Sequence, residues 1–110
     1  MDYSKLSDFE INLRVAEIVV DYDCISRLPY TDMAVHWGDG ANWHVFNPCN
    51  NPADAWPIIT VNKISIYAMS EKDCRGHWGA EAFYPNKSYH FNDNPLRAAM
   101  VVFLMMQESK

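Results

Sequence analysis

From Leu96 to Met106 the only polar residue is Arg97, and this run constrains the fold more than any other feature of the chain. Asn94 before it is a strong N-cap, and Pro95 suits the first helical position, where its missing N–H costs nothing. The run therefore reads as a helix. A helix that is apolar nearly all round must be covered on nearly all sides. In a chain of 110 residues a sheet can cover one side and the first helix another. The rest can serve as a homodimer interface, for which Met100, Met105 and Met106 offer adaptable contacts, or the helix can simply be the centre of the core. The run is too short to span a bilayer and carries Arg97, so no membrane association is expected.

The elements that could cover it are legible further back. Ser7 and Glu10 have capping-box spacing, with Leu6 and Ile11 placed as a hydrophobic staple. Phe9, Leu13, Ala16 and Val20, widened by Val15 and Val19, predict a helix over about Asp8 to Val20. A connection from Asp21 to Thr31, broken at Pro29, leads to a predicted hairpin. With Gly38-Asp39-Gly40 as a three-residue loop, Trp37 faces Ala41, Val35 faces Trp43, and Met33 faces Val45. Ala34, His36, Asn42, His44 and Phe46 then share the other side. Lys63 to Met69 alternates as a strand, Ser70 to Gly76 reads as a turn, and His77 to Tyr84 is a strand with Trp78, Ala80 and Ala82 facing one way. Pro85-Asn86-Lys87 turns the chain toward a short strand at Ser88 to Phe91. The expected architecture is one α+β domain over residues 1–110, a small antiparallel sheet of three to five strands packed with an N-terminal and a C-terminal helix.

Phe46 to Ile59 holds three of the six prolines and, with Asp54, only one formal charge. It reads as a shaped loop between the hairpin and the next strand. Asn50, Asn51, Asp54 and Trp56 offer donors, acceptors and an indole face, a mixture that suits a small polar ring system. Trp37, Trp43 and His44 at the hairpin extend the candidate ligand contacts. Turn chemistry of Asn before Pro, and burial of Trp56, explain the same residues without a ligand.

Hydrophobic residues make up 49% of the chain, enough apolar surface to offset the entropy of ordering, which excludes a disordered chain. A net charge of −5 argues against direct nucleic-acid binding, which needs clustered Lys and Arg. The cysteines, Cys24, Cys49 and Cys74, are odd in number, and the N-terminus lacks the apolar segment of a signal peptide. Both point to a reducing cytoplasm without a disulfide framework.

Pro57-Ile58-Ile59, Ile64, Trp78-x-Ala80 and Asn94-Pro95-Leu96-Arg97-Ala98-Ala99-Met100, in that order and spacing over nearly the whole chain, resemble the phage NinX-like family. Ala55-Trp56 departs from the Gly-rich approach to Pro-Ile-Ile common in that family. The resemblance implies a small accessory protein of lambdoid phages and prophages, a bacterial cytoplasmic setting, and a conditional role in phage growth that would suit counteracting a host defence. It carries over no catalytic residues.

Chemistry on the remaining residues is sparse. Cys74-x-x-His77 is half of a zinc spacing, with His36, His44 and Cys49 as conceivable partners, but structural zinc sites show two paired motifs. No metal site and no cofactor are expected. Gly38-x-Gly40 is too short for a phosphate-binding fingerprint. Cys49, His44 and Asp54 could form a nucleophile, base and orienting group if the fold brought them together. The leading expectation is a non-enzymatic binding protein acting on a host protein or host-derived small molecule. The alternatives are a small enzyme acting on a nucleotide or amide, and a homo-oligomeric structural protein.

Overall fold

Ser7 begins the first helix as its spacing with Glu10 predicts. The Ser7 hydroxyl accepts the Glu10 backbone N–H at 3.1 Å, and the Glu10 carboxylate accepts the Ser7 N–H at 3.1 Å. Just before it, the Asp2 carboxylate caps a single 3-10 turn at Tyr3–Lys5. The computed structural model describes residues 2–20, 25–26, 35–38, 43–73, 76–84 and 86–108. The chain divides into two units, Met1–Asn47 and Pro48–Lys110. Outside the described residues lie most of the predicted 21–31 connection, Met33, Ala34, the loop residues Asp39 to Asn42, and Cys24, Cys74 and Pro85.

In the first unit, α1 (Asp8–Val19) buries Ile11, Asn12, Val15 and Ala16. These are two adjacent i, i+4 pairs, so the buried stripe is turned from the expected one. Phe9 and Leu13 are half-buried, and Val19 is exposed. Burying Asn12 is tolerated because its side-chain N–H donates to the Asn47 side-chain oxygen at 2.8 Å, which satisfies a group that would otherwise be costly inside. The strands β1 (Ile25–Ser26), β2 (Val35–Gly38) and β3 (Trp43–Phe46) form an antiparallel sheet in that order, and α1 packs on β2.

The hairpin register differs from the predicted one. Val35 pairs with Phe46, His36 with Val45, Trp37 with His44, and Gly38 with Trp43. The pairing is displaced by three residues from the Val35–Trp43 alignment. Because side chains alternate with period two, an odd displacement exchanges every β3 side chain between faces. Val35, Trp37, His44 and Phe46 share one side; His36, Gly38, Trp43 and Val45 share the other. Either alignment of β3 offers apolar residues to both faces, so the pattern alone could not choose. Burial of Val35 and Phe46 as a pair decides it.

The second unit contains a helix where a loop was expected. α2 (Pro52–Asn62) starts at Asn51, whose side-chain oxygen accepts the Ala53 N–H at 3.0 Å. Pro57 lies inside the helix, and the carbonyl left without its partner belongs to Ala53, which is exposed to solvent. Lys63 ends the helix in the left-handed region at φ 56°, and the Ile64 N–H reaches back to the Ile59 carbonyl at 3.0 Å. The strand expected from Lys63 therefore begins later.

The strands β4 (Ser65–Asp73), β5 (Gly76–Ala82) and β6 (Ser88–Asn92) form a second antiparallel sheet in sequence order. The strands thus lie in two sheets of three rather than one. Residues 70–73, expected in a turn, continue β4. On β5, Ala80 and Ala82 are fully buried and Trp78 is half-buried, so the predicted face is the core face. α3 (Pro95–Glu108) packs on all three strands and on α2. Every residue from Ala98 to Leu104 is buried. Seven in succession go almost twice round a helix, so α3 is enclosed on all sides. The fold is α+β, with helices near both ends of the chain.

Candidate functional site

In the second unit the turn ahead of Asn51-Pro52 meets the Asn94-Pro95 start of α3. Asn94 caps α3: its side-chain oxygen accepts the Leu96 N–H at 3.0 Å and the Arg97 N–H at 3.3 Å. Its amide group also donates to the Cys49 carbonyl at 2.7 Å and to the Asn50 side-chain oxygen at 3.1 Å. Its own backbone N–H is held by the Asn92 side chain at 3.0 Å. One asparagine therefore joins the first turn of α3 to the turn that leads into α2. Asn50, Asn51 and Asp54 are polar edges that the sequence offers to a ligand. The structure commits the Asn51 oxygen to a cap and gives the Asn50 oxygen to Asn94. Asp54 sits half-buried in the first turn of α2, where a carboxylate complements the helix dipole.

What α2 offers outward is apolar. Ala55, Ile58 and Ile59 face the core, while Trp56 is 62% and Val61 79% exposed. Ala53, Pro57 and Thr60 are exposed with them, so residues at helical spacing form one uncharged stripe. The Thr60 hydroxyl does not break it, because it turns inward to the Trp56 carbonyl at 3.0 Å and the Pro57 carbonyl at 3.2 Å. Cys49 is fully buried, which removes its sulfur from contact with a dissolved substrate.

In the first unit the Trp37 and His44 rings stand 5.5 Å apart, tilted by 46°, as a cross-strand pair. Trp43 lies on the opposite face. All three are exposed. His36 and His44, expected as diagonal neighbours on one face, point to opposite faces.

The family model for bacteriophage P22 NinX matches residues 2–107. The chain belongs to the NinX family. A phage protein from Bacillus cereus ATCC 14579, known from a crystal structure, shares the fold at a TM-score of 0.67 with 14% identity, over 94% of this chain and 89% of that one. None of the curated proteins matches.

Within this NinX-family fold the methionines expected at a subunit interface are largely internal. Met100 and Met106 are buried in the core, and only Met105 reaches partway to the surface. Among the described residues no helix is long and apolar enough to cross a membrane. A pair that sequence reasoning missed is His77 and Asp93. The imidazole Nδ1 lies 2.8 Å from the Asp93 carboxylate, which also accepts the His77 backbone N–H at 3.1 Å. Neither residue announces the other, since only the pairing of β5 with β6 brings them together. The α2 stripe, by contrast, had a signal. Asn51-Pro52 is the same helix-start pair as Asn94-Pro95.

Proposed function

We propose that this phage accessory protein acts without catalysis, as a binding protein whose partner is a host protein in the bacterial cytoplasm. The observation that carries the reading is the uncharged outer stripe of α2. Its inner face is fixed in the core, so Trp56 and Val61 are presented on a rigid element, and exposed Trp on a rigid apolar surface is typical hot-spot chemistry for protein partners. Counteracting a host defence suits such a protein.

The test places a photo-crosslinking residue at position 56 or 61, with exposed Arg14 on α1 as the control position, in cells in which the phage is growing. A host-protein adduct at 56 and 61, absent at 14, is expected. Trp56→Ala should abolish the phage phenotype while changing stability by less than about 0.5 kcal/mol, as for an exposed site. Ile58→Ala, on the inner face, should cost roughly 2–4 kcal/mol. A Trp56→Ala protein that is folded and fully functional, with no adduct at either position, would overturn the reading.

A further inference from the structure

The outer face of the second sheet is aromatic. Tyr67, Gly79 and Phe91 are paired across β4, β5 and β6, and so are Ser65, Glu81 and Tyr89. Both rows share the face opposite buried Ala80 and Ala82. The Tyr67 ring lies over Gly79, where an added Cβ would come within 2.5 Å of it. Tyr89 and Phe91 stand edge to face with centroids 5.9 Å apart. At one end of this surface sits a cation: the Lys87 ammonium is 3.6 Å from the Glu81 carboxylate and 5.9 Å from the Phe83 ring centroid.

That arrangement shows what the face attracts. Ring faces carry negative charge density and draw cations, Glu81 adds a carboxylate, and the chain as a whole carries −5. Lys87 is more than half exposed, and exposed ion pairs of this kind contribute little, so an incoming cation can replace it. A guanidinium is the better fit, because it is planar, stacks on rings and pairs a carboxylate through two N–H groups. We infer that the Phe83–Tyr89–Phe91 face, with Glu81, is a docking surface for an arginine side chain of a partner protein, and that Lys87, between Glu81 and Phe83, occupies the guanidinium position when no partner is bound. This surface is separate from the α2 stripe, and its test is independent of that one.

The test is an NMR titration of the full chain with a capped Gly-Arg-Gly peptide, and with its counterpart in which neutral citrulline replaces arginine. The arginine peptide should shift the Tyr89, Phe91 and Glu81 signals saturably, and the citrulline peptide should not. Lys87→Ala should tighten binding by roughly twofold to fivefold, the range an exposed ion pair supplies. Glu81→Gln and Tyr89→Ala should each weaken it by at least a similar factor. Equal shifts from the citrulline peptide, shifts confined to other surfaces, or unchanged affinity in both Lys87→Ala and Glu81→Gln would overturn the assignment.

Discussion

The Asn94 side-chain amide donates to the Cys49 carbonyl at 2.7 Å, tying the start of α3 to the turn before α2. Through the same side chain, Asn94 accepts two backbone N–H groups of α3. The helix that forms the centre of the core and the helix that carries the exposed stripe are thereby set in register by one residue.

Asn94→Ala should therefore cost more than an ordinary cap. A lost N-cap costs about 1 kcal/mol, and loss of the hydrogen bond to the Cys49 carbonyl adds a comparable penalty. About 2 kcal/mol is expected by urea denaturation. Asn94→Asp keeps the capping oxygen but sets a carboxylate oxygen against that carbonyl, so it should fail to restore stability. An Asn94→Asp protein as stable as the parent would show that the link to Cys49 contributes nothing.

The ends of α2 can be tuned in opposite directions. Asn51→Ala removes the cap on Ala53 and should destabilise by about 1 kcal/mol. Lys63→Gly should stabilise by roughly 0.5–1 kcal/mol, because Lys63 holds a left-handed conformation that glycine adopts without strain. Thermal unfolding of the two single variants and the double variant would check both signs.

Two glycines of β5 should respond differently to alanine. At Gly79 the added methyl meets the far end of the Tyr67 ring, which can swing aside, so a loss of about 1–2 kcal/mol and moved Tyr67 ring resonances are expected. At Gly76 it meets the Asn92 backbone, at a φ of +138° that alanine rarely adopts. A cost above about 3 kcal/mol is expected there. Denaturation that ranked the two in the reverse order would contradict the strand pairing.

The start of α1 should be sensitive to acid. The Ser7 backbone N–H, and then the Ser7 hydroxyl, hold the Glu10 carboxyl below its ordinary value. Since the folded-state pKa is the lower one, the stabilisation is fully present above the ordinary glutamate range. It is lost as the pH falls through the folded value. Protection of the first-turn amides of α1, measured relative to their intrinsic exchange rates, should fall on acidification over that window, and Glu10→Gln should abolish this pH dependence.

The helices at the two ends of the chain were legible because their signals are local. Ser7 with Glu10, and Asn94 with Pro95, act within one turn. β5 and β6 were legible from alternation, and Asn51-Pro52 carried the same signal as Asn94-Pro95 but stood beside further prolines that suggest a loop. Pro57 is compatible with α2 because Ala53, whose carbonyl it leaves without a helical partner, is an exposed residue, and that exposure is a tertiary fact. The hairpin register was not legible, since Trp43, Val45 and Phe46 supply apolar groups to both faces.

The sequence by itself determined an α+β chain of the NinX family whose last helix had to be enclosed, because eleven almost uninterrupted apolar positions cannot face water. Only the tertiary structure decided what encloses that helix and what remains outside. α2 and the β4–β6 sheet pack on α3, which spends the Asn51 oxygen on the cap of α2 and the Asn50 oxygen on Asn94 and leaves Trp56 exposed. The physical reason is that caps and periodicity act over a few residues. Which face of an element meets solvent is set by groups distant in the chain, such as Asn94 and Cys49.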